Sequence, residues 1–272
     1  SYISNHSHLI AIEIDQATSI EQLRSAAGRI DELIAALESN GVRVRIVAAL
    51  VRELNARLFE RLWSLLTPAE LVANSCVVVM GSEGRGEQIL KTDQDNALLL
   101  RDGFEFAGLD DVARAFAAAL DAFGYPPCPG GIMLTTPLWR QPLSAFRESL
   151  RQWLYGHDPE GPMNLAIFFD AAAVAGDESL LKAARDHLDS IAAGHDPYLA
   201  RFAAAADQFS EGGGLWQRLT TKRDDQPLDL KKLGTFPIVH GVRALSLQYA
   251  VREQGTAARL KEEADGYSQR VV

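Results

Sequence analysis

Cysteine occurs only twice in the 272 residues, at Cys76 and Cys128. Two thiols are too few for a disulfide framework or a Cys-rich zinc site, and a reducing cytoplasm is the expected setting. No apolar run approaches the roughly 20 residues that a membrane helix needs, and the N-terminus lacks the pattern of a secretory signal. No membrane partner is expected. Basic residues are also short: 27 Lys and Arg stand against 36 Asp and Glu, for a net charge of −9. Phosphate backbones demand clustered cations, so nucleic acid is not an expected partner. The six histidines are scattered, with no metal-ligand spacing beyond His6-x-His8. An initiating methionine is missing too. The start at Ser1-Tyr2 is read as a cut from a longer protein, with regulatory domains expected upstream. What the chain does have is 47% hydrophobic and 23% charged residues, the balance of a globular protein with a real core.

Helical periodicity comes first. Ser19 with Gln22 resembles a capping box, and Leu23, Ile30, Leu33, Ile34 and Leu37 follow at three- and four-residue steps. Asn40-Gly41 ends that helix. A second runs from about Arg43 to Leu66, so residues 1–66 read as a helical hairpin region. Thr67-Pro68 starts another helix. The texture then changes. Cys76 to Met80 is short, apolar and β-branched, as a buried strand is. The spacing predicts a second strand from Asp93 to Leu100 and an Ala-rich helix from Asp110 to Phe123. Residues 125–142, with five prolines and Gly130-Gly131, read as an ordered loop or irregular hairpin. Leu165 to Phe169 is expected to be a third strand, ending at Asp170. From Asp177 onward the pattern is helical, with Asp196-Pro197 as a helix start, a break at Gly212 to Gly214, and a helix from Ile238 to Gln254 closed by Gly255. The expected parts are 1–66, a core over 67–176 and a helical C-terminal domain over 177–272. The fold class is α+β, mixed.

Chemistry concentrates between Met80 and Asn96. Side chains alternate along a strand, so Asp93 and Asp95 face one way and Gln94 the other. Two carboxylates on one face repel unless a cation lies between them, and hard oxygen ligands select magnesium or manganese. Gly81 permits close backbone approach, Ser82 can donate a hydroxyl to a phosphate, and Arg85 can add a charged fork. Should residues 83–90 open a helix, its first amides would face the same anion. A lone D-x-D is more often a solvated turn. Joined to an apolar strand, Gly-Ser and a following apolar strand, it points to a nucleotide site. No G-x-x-x-x-G-K-[ST] loop is present, and Gly84-x-Gly86 makes no dinucleotide fingerprint. Cys128 reads as a packed thiol, since no base stands near it in sequence.

The string Gly81-Ser82-Glu83-Gly84-Arg85-Gly86-Glu87-Gln88, followed by Thr92-Asp93-Gln94-Asp95-Asn96-Ala97-Leu98, resembles the DNA polymerase beta-like nucleotidyltransferases. It looks like one bacterial branch of them, usually found behind cyclic-nucleotide-binding and CBS domains and itself similar to PII-protein uridylyltransferases. Cys128 to Met133 with Trp139, Phe168-Phe169-Asp170 with Gly176-Asp177, and the run from Leu228 to Leu245 extend the likeness over most of the chain. The resemblance implies an enzyme that transfers a nucleoside monophosphate from a triphosphate such as ATP or UTP to an acceptor hydroxyl on a regulatory protein. Magnesium would sit on Asp93 and Asp95. The family implies a third carboxylate on a later strand, and Asp170 is the match, although Ala172 stands where relatives often have Arg. Asp170 also reads as a helix cap. Arg243, among apolar neighbours, is expected in the nucleotide cleft, whereas Lys231 and Lys232 read as a solvated face. A catalytically silent nucleotide sensor remains the other reading.

Overall fold

A computed structural model describes residues 2–210 and 235–270. Three helices open the chain: α1 (Tyr2–Gln16), α2 (Ile20–Ser39) and α3 (Val44–Leu66). Ser19 caps α2, its hydroxyl accepting from the Gln22 amide at 3.2 Å, as the sequence anticipates. The hairpin of α2 and α3 is present, and α1 packs on both helices. One turn, α4 (Ala69–Ala73), leads into the sheet.

Four strands form that sheet, in the order β3-β2-β1-β4. β1 (Ser75–Val79) is central and antiparallel to β2 (Asn96–Leu100) and to β4 (Ala172–Gly176). The edge strand β3 (Arg140–Pro142) lies parallel to β2, and its proline sits at an edge, where a missing N–H costs no ladder bond. Every residue of β1 and β2 is buried, because both faces are covered. Cys76, Val78, Ala97 and Leu99 join one apolar cluster, and Val77, Val79, Leu98 and Leu100 join the other. The second cluster holds α1 to α3 and α6 (Leu109–Ala122). The first holds α7 (Leu143–Tyr155), α8 (Gly161–Phe169), α9 (Ser179–Ala192) and α10 (Asp196–Ser210). The fold is a mixed α+β protein: a small sheet between two helical layers. Two last helices, α11 (Phe236–Gln248) and α12 (Thr256–Arg270), follow.

Several sequence expectations are corrected. Leu165 to Phe169 is not a strand but the second half of α8. Eight of its nine residues are buried, so it carries no polar stripe, and a short apolar run of this kind has no period to separate helix from strand. Pro162 in the first turn starts the helix. The strand comes later, in the Ala-rich segment Ala172–Gly176, where pairing with β1 overrides weak propensity. Residues 83–90 do not open a helix: the helical piece here is a single turn, α5 (Gly81–Arg85), stopped by Gly86 at φ +67°. β2 starts at Asn96 rather than Asp93. Gly255 does not end α11, which stops at Gln248. It lies just before α12, with φ +79°. The glycine run at 212–214 and Lys231 and Lys232 lie outside the described residues. Among those described, no helix is long and apolar enough to cross a membrane.

Candidate nucleotide site

β1 delivers the chain to Met80, and Gly81 then turns it at φ +61°, a conformation that side-chain-bearing residues rarely take. A Cβ at Gly81 would lie 2.9 Å from Asp95 Oδ2. The missing side chain therefore leaves the room in which backbone and carboxylate meet. Across from this turn, Asp93 to Asp95 run extended into β2. The Met80 amide donates to the Asp95 carbonyl and the Gln94 amide to the Pro126 carbonyl, both at 2.8 Å. Alternation sorts their side chains. Gln94 is buried and donates to the carbonyls of Ala117 (3.0 Å) and Tyr125 (2.8 Å). Asp93 and Asp95 are half-buried and line a cleft of about 360 Å³.

That cleft brings together Gly81, Ser82, Arg85, Asp93, Asp95 and Arg243. Six of the seven residues singled out in the sequence thus share one cavity, although Arg243 comes from α11, far along the chain. Its other wall is apolar, built from the 125–142 loop, α8 and α11. Cys128 lies beside Asp95, buried and free of any disulfide. Burial first, then the Asp95 carboxylate, pushes its thiol up to about 12, so it stays protonated and is no nucleophile at neutral pH.

Asp170 is the seventh, and its position departs from expectation. It follows the last turn of α8 rather than a strand, and it is fully buried. Three arginines hold it: Arg85 Nη1 donates to Oδ2 at 2.6 Å, Arg259 Nη1 donates to Oδ1 at 2.7 Å, and Arg243 donates to Oδ2 through Nε at 3.1 Å and through Nη2. Burial opposes its charge, yet Arg243 and Arg85, with Arg259 behind them, hold the carboxyl well below the usual carboxylate range. Both oxygens are committed to cations. Among the described residues no group of three or more His, Cys, Asp or Glu side chains is placed to hold a metal.

The clamp also orders the arginines. Burial works against the charge on Arg85, but Asp170 and Glu87 outweigh it and raise its pKa. At Arg243 burial prevails and lowers the pKa from its ordinary value, against the pull of Asp170. Gly84 lets α5 come this close: a Cβ there would fall 2.1 Å from the Asp170 carbonyl oxygen. Sequence reasoning missed two participants. Arg259 sits in a helix rich in charge and shows no pattern that separates it from a surface arginine. Glu83 lies inside the motif, but nothing in its spacing reveals the contact with Asn55, whose Nδ2 donates to both carboxylate oxygens at 3.3 Å. Burial, only partly offset by Asn55 and Arg52, pushes Glu83 up to about 7.

A glycine turn facing two carboxylates, at the end of a small sheet and in a cleft walled by helices from the C-terminal half, marks the chain as a nucleotidyltransferase-type α+β protein. Two family models match it. One, described as putative nucleotidyltransferase DUF294, covers residues 28–160, and the other, putative nucleotidyltransferase substrate binding domain, covers residues 196–267. Together they take in most of the chain, which belongs to this nucleotidyltransferase family. No curated protein matches it.

Proposed function

We propose that the cleft binds a nucleoside triphosphate with Mg²⁺ or Mn²⁺ and that the protein transfers the nucleoside monophosphate to an acceptor hydroxyl, with a regulatory protein as acceptor. The observation that carries this is the convergence of Gly81, Asp93, Asp95, Arg85 and Arg243 on one cavity. Asp93 and Asp95 fit a magnesium ion by donor chemistry, two hard carboxylates opposite a turn kept open by a missing Cβ. When bound, the ion supplies charge neutralisation on the phosphates and polarises the reacting oxygens. Ser82 and the backbone at Gly81 orient the phosphate chain. Arg85 and Arg243 contribute positive charge at its far side: each guanidinium has five N–H donors, so Asp170 saturates neither. In the reaction the acceptor oxygen bonds to the α-phosphorus, the bond to the β-phosphate oxygen breaks, and pyrophosphate leaves with that electron pair. The acceptor proton passes to solvent or buffer.

A second reading is a sensor that binds the triphosphate without transferring it, as part of a larger signalling protein. What favours it is Asp170: a carboxylate committed to three arginines is not available as the third metal ligand. One experiment separates the two. The protein is incubated with each α-labelled triphosphate, Mg²⁺ and candidate acceptors, with pyrophosphate and labelled protein as readouts. Transfer that disappears in Asp93→Asn/Asp95→Asn supports the enzyme. Metal-dependent binding without transfer supports the sensor. Absence of triphosphate binding in calorimetry overturns both. The double variant is expected to fold at least as well as the parent, because it removes two like charges from one face.

A further inference from the structure

We infer that the apolar end of this cleft is a base slot that selects purine over pyrimidine triphosphates by stacking rather than by hydrogen-bond readout, an inference that rests on the nucleotide-site reading above. The lining has a direction. On α11, Phe236, Val239 and Arg243 fall at i, i+3 and i+7, one stripe of the helix, and all three line the cleft. Seven residues of helix rise by roughly 10 Å. The stripe therefore runs from an aromatic ring, past an aliphatic side chain, to a cation, in the order base, sugar, phosphate. On α8, Met163 and Ile167 stand at i and i+4, and Ile132 adds a third aliphatic group from the loop. These five side chains form the apolar part of the lining.

The ring of Phe236 is held in place. It stacks on His240 with centroids 5.9 Å apart and planes 15° from parallel. His240 is itself buried and fixed, Nε2 lying 2.7 Å from the Phe202 carbonyl. Burial lowers its pKa to about 4, so the stack is neutral over the working range. Among the described residues that line the cleft beside Phe236, none is an Asn, Gln, Asp or Glu that would read a base edge. Among the described lining residues, the polar group next to Phe236 is the Thr235 hydroxyl, which can donate or accept equally. An apolar slot gains with the area it covers, and a two-ring base offers more face than a one-ring base. The same slot discriminates weakly between bases of one shape, because no buried polar partner is left unpaired by the wrong one.

The test is calorimetric titration of the full chain with Mg²⁺ and α,β-methylene analogues of ATP, GTP, UTP and CTP. The expected result is purine binding about fivefold tighter than pyrimidine binding, the scale of roughly 40 Å² of additional apolar face covered, with ATP and GTP within about twofold of each other. Phe236→Ala should lower purine affinity by about tenfold and close the gap, while Phe236→Trp should keep it. UTP or CTP binding as tightly as ATP overturns the inference and leaves the nucleotide site standing. So does a purine preference that survives intact in Phe236→Ala. Should Phe236→Ala not fold, the wild-type ranking and Phe236→Trp decide. If no triphosphate binds, the underlying reading falls and the base slot with it.

Discussion

At the scale of single residues, two glycines make opposite predictions. Gly84 sits where a Cβ would meet two backbone oxygens, 2.1 Å from that of Asp170 and 2.8 Å from that of Val79. Backbone cannot rotate aside, so Gly84→Ala should lose at least about 2–3 kcal/mol of stability, read as a lower denaturant midpoint. Gly28, inside α2, has nothing within 4 Å of its ideal Cβ. Gly28→Ala should gain about 0.5–1 kcal/mol through helix propensity. Asp170 is the most consequential residue. Replacing it by Asn leaves three buried guanidinium groups facing a neutral amide, and breaking such a cluster costs about 3–5 kcal/mol. Its folded pKa is depressed, so its contribution is present above the unfolded carboxyl pKa and is lost as pH falls through the folded value. Denaturant midpoints measured between pH 7 and the acid limit should show that loss in the parent and not in Asp170→Asn.

At the scale of elements, the single turn α5 is tied to two others. Tyr125, just after α6, donates its hydroxyl to Asn55 Oδ1 at 2.7 Å, and Asn55 on α3 donates to Glu83 on α5. Glu83 is the group under tension, since its pKa is pushed from 4.5 to about 7 chiefly by burial. The sign follows. Between those values the folded state holds a proton that the unfolded chain has released, so stability falls as pH rises through this window. Glu83→Gln keeps a neutral hydrogen-bonding group and should remove the fall. The variant is expected to match the parent near pH 4.5 and to exceed it by on the order of 2 kcal/mol at pH 8, as measured by chemical denaturation without nucleotide. A parent whose stability is flat over this window would show that Glu83 ionises as an ordinary carboxylate. The helix α8 teaches a different lesson about elements. Its apolar, buried sequence carries no face, and only what surrounds it decides its conformation.

At the scale of the whole molecule, Asp170 joins α8 to α5, α11 and α12 through Arg85, Arg243 and Arg259. These ties join α8 and α5 to the last two helices, and Glu87 adds another by accepting from the Thr256 amide at 2.6 Å. The clamp and the cleft share Arg85 and Arg243, so the position of the C-terminal helices and the shape of the nucleotide site are coupled. Amide hydrogen exchange should therefore quicken together in α5, α11 and α12 when Asp170→Asn is made, while α1 to α3 keep their protection. Quickening confined to the turn after Phe169 would mean that the clamp is local. Because the arginines point where Asp170 holds them, the variant should also weaken triphosphate binding, in contrast to a third metal ligand, whose loss would spare it.

Local chemistry alone determined much of this protein. Helix α2 with its Ser19 cap, the buried β1, the Gly81-Ser82 turn and the same-side placement of Asp93 and Asp95 all follow from interactions within a few residues of chain. Capping, alternation and glycine φ are short-range effects, so they are legible in one dimension. Even Arg243 stood out, by being a cation among apolar neighbours. Tertiary structure decided the rest. Leu165 to Phe169 became helix because burial on every side erases periodicity, and Ala172 to Gly176 became strand because β1 offered an open edge. Asp170 could have been a metal ligand, a cap or an ion-pair hub as far as sequence goes. Which of these it is depends on three guanidinium groups contributed from 73 to 89 residues away, and long-range electrostatics of that kind leave no trace in local pattern.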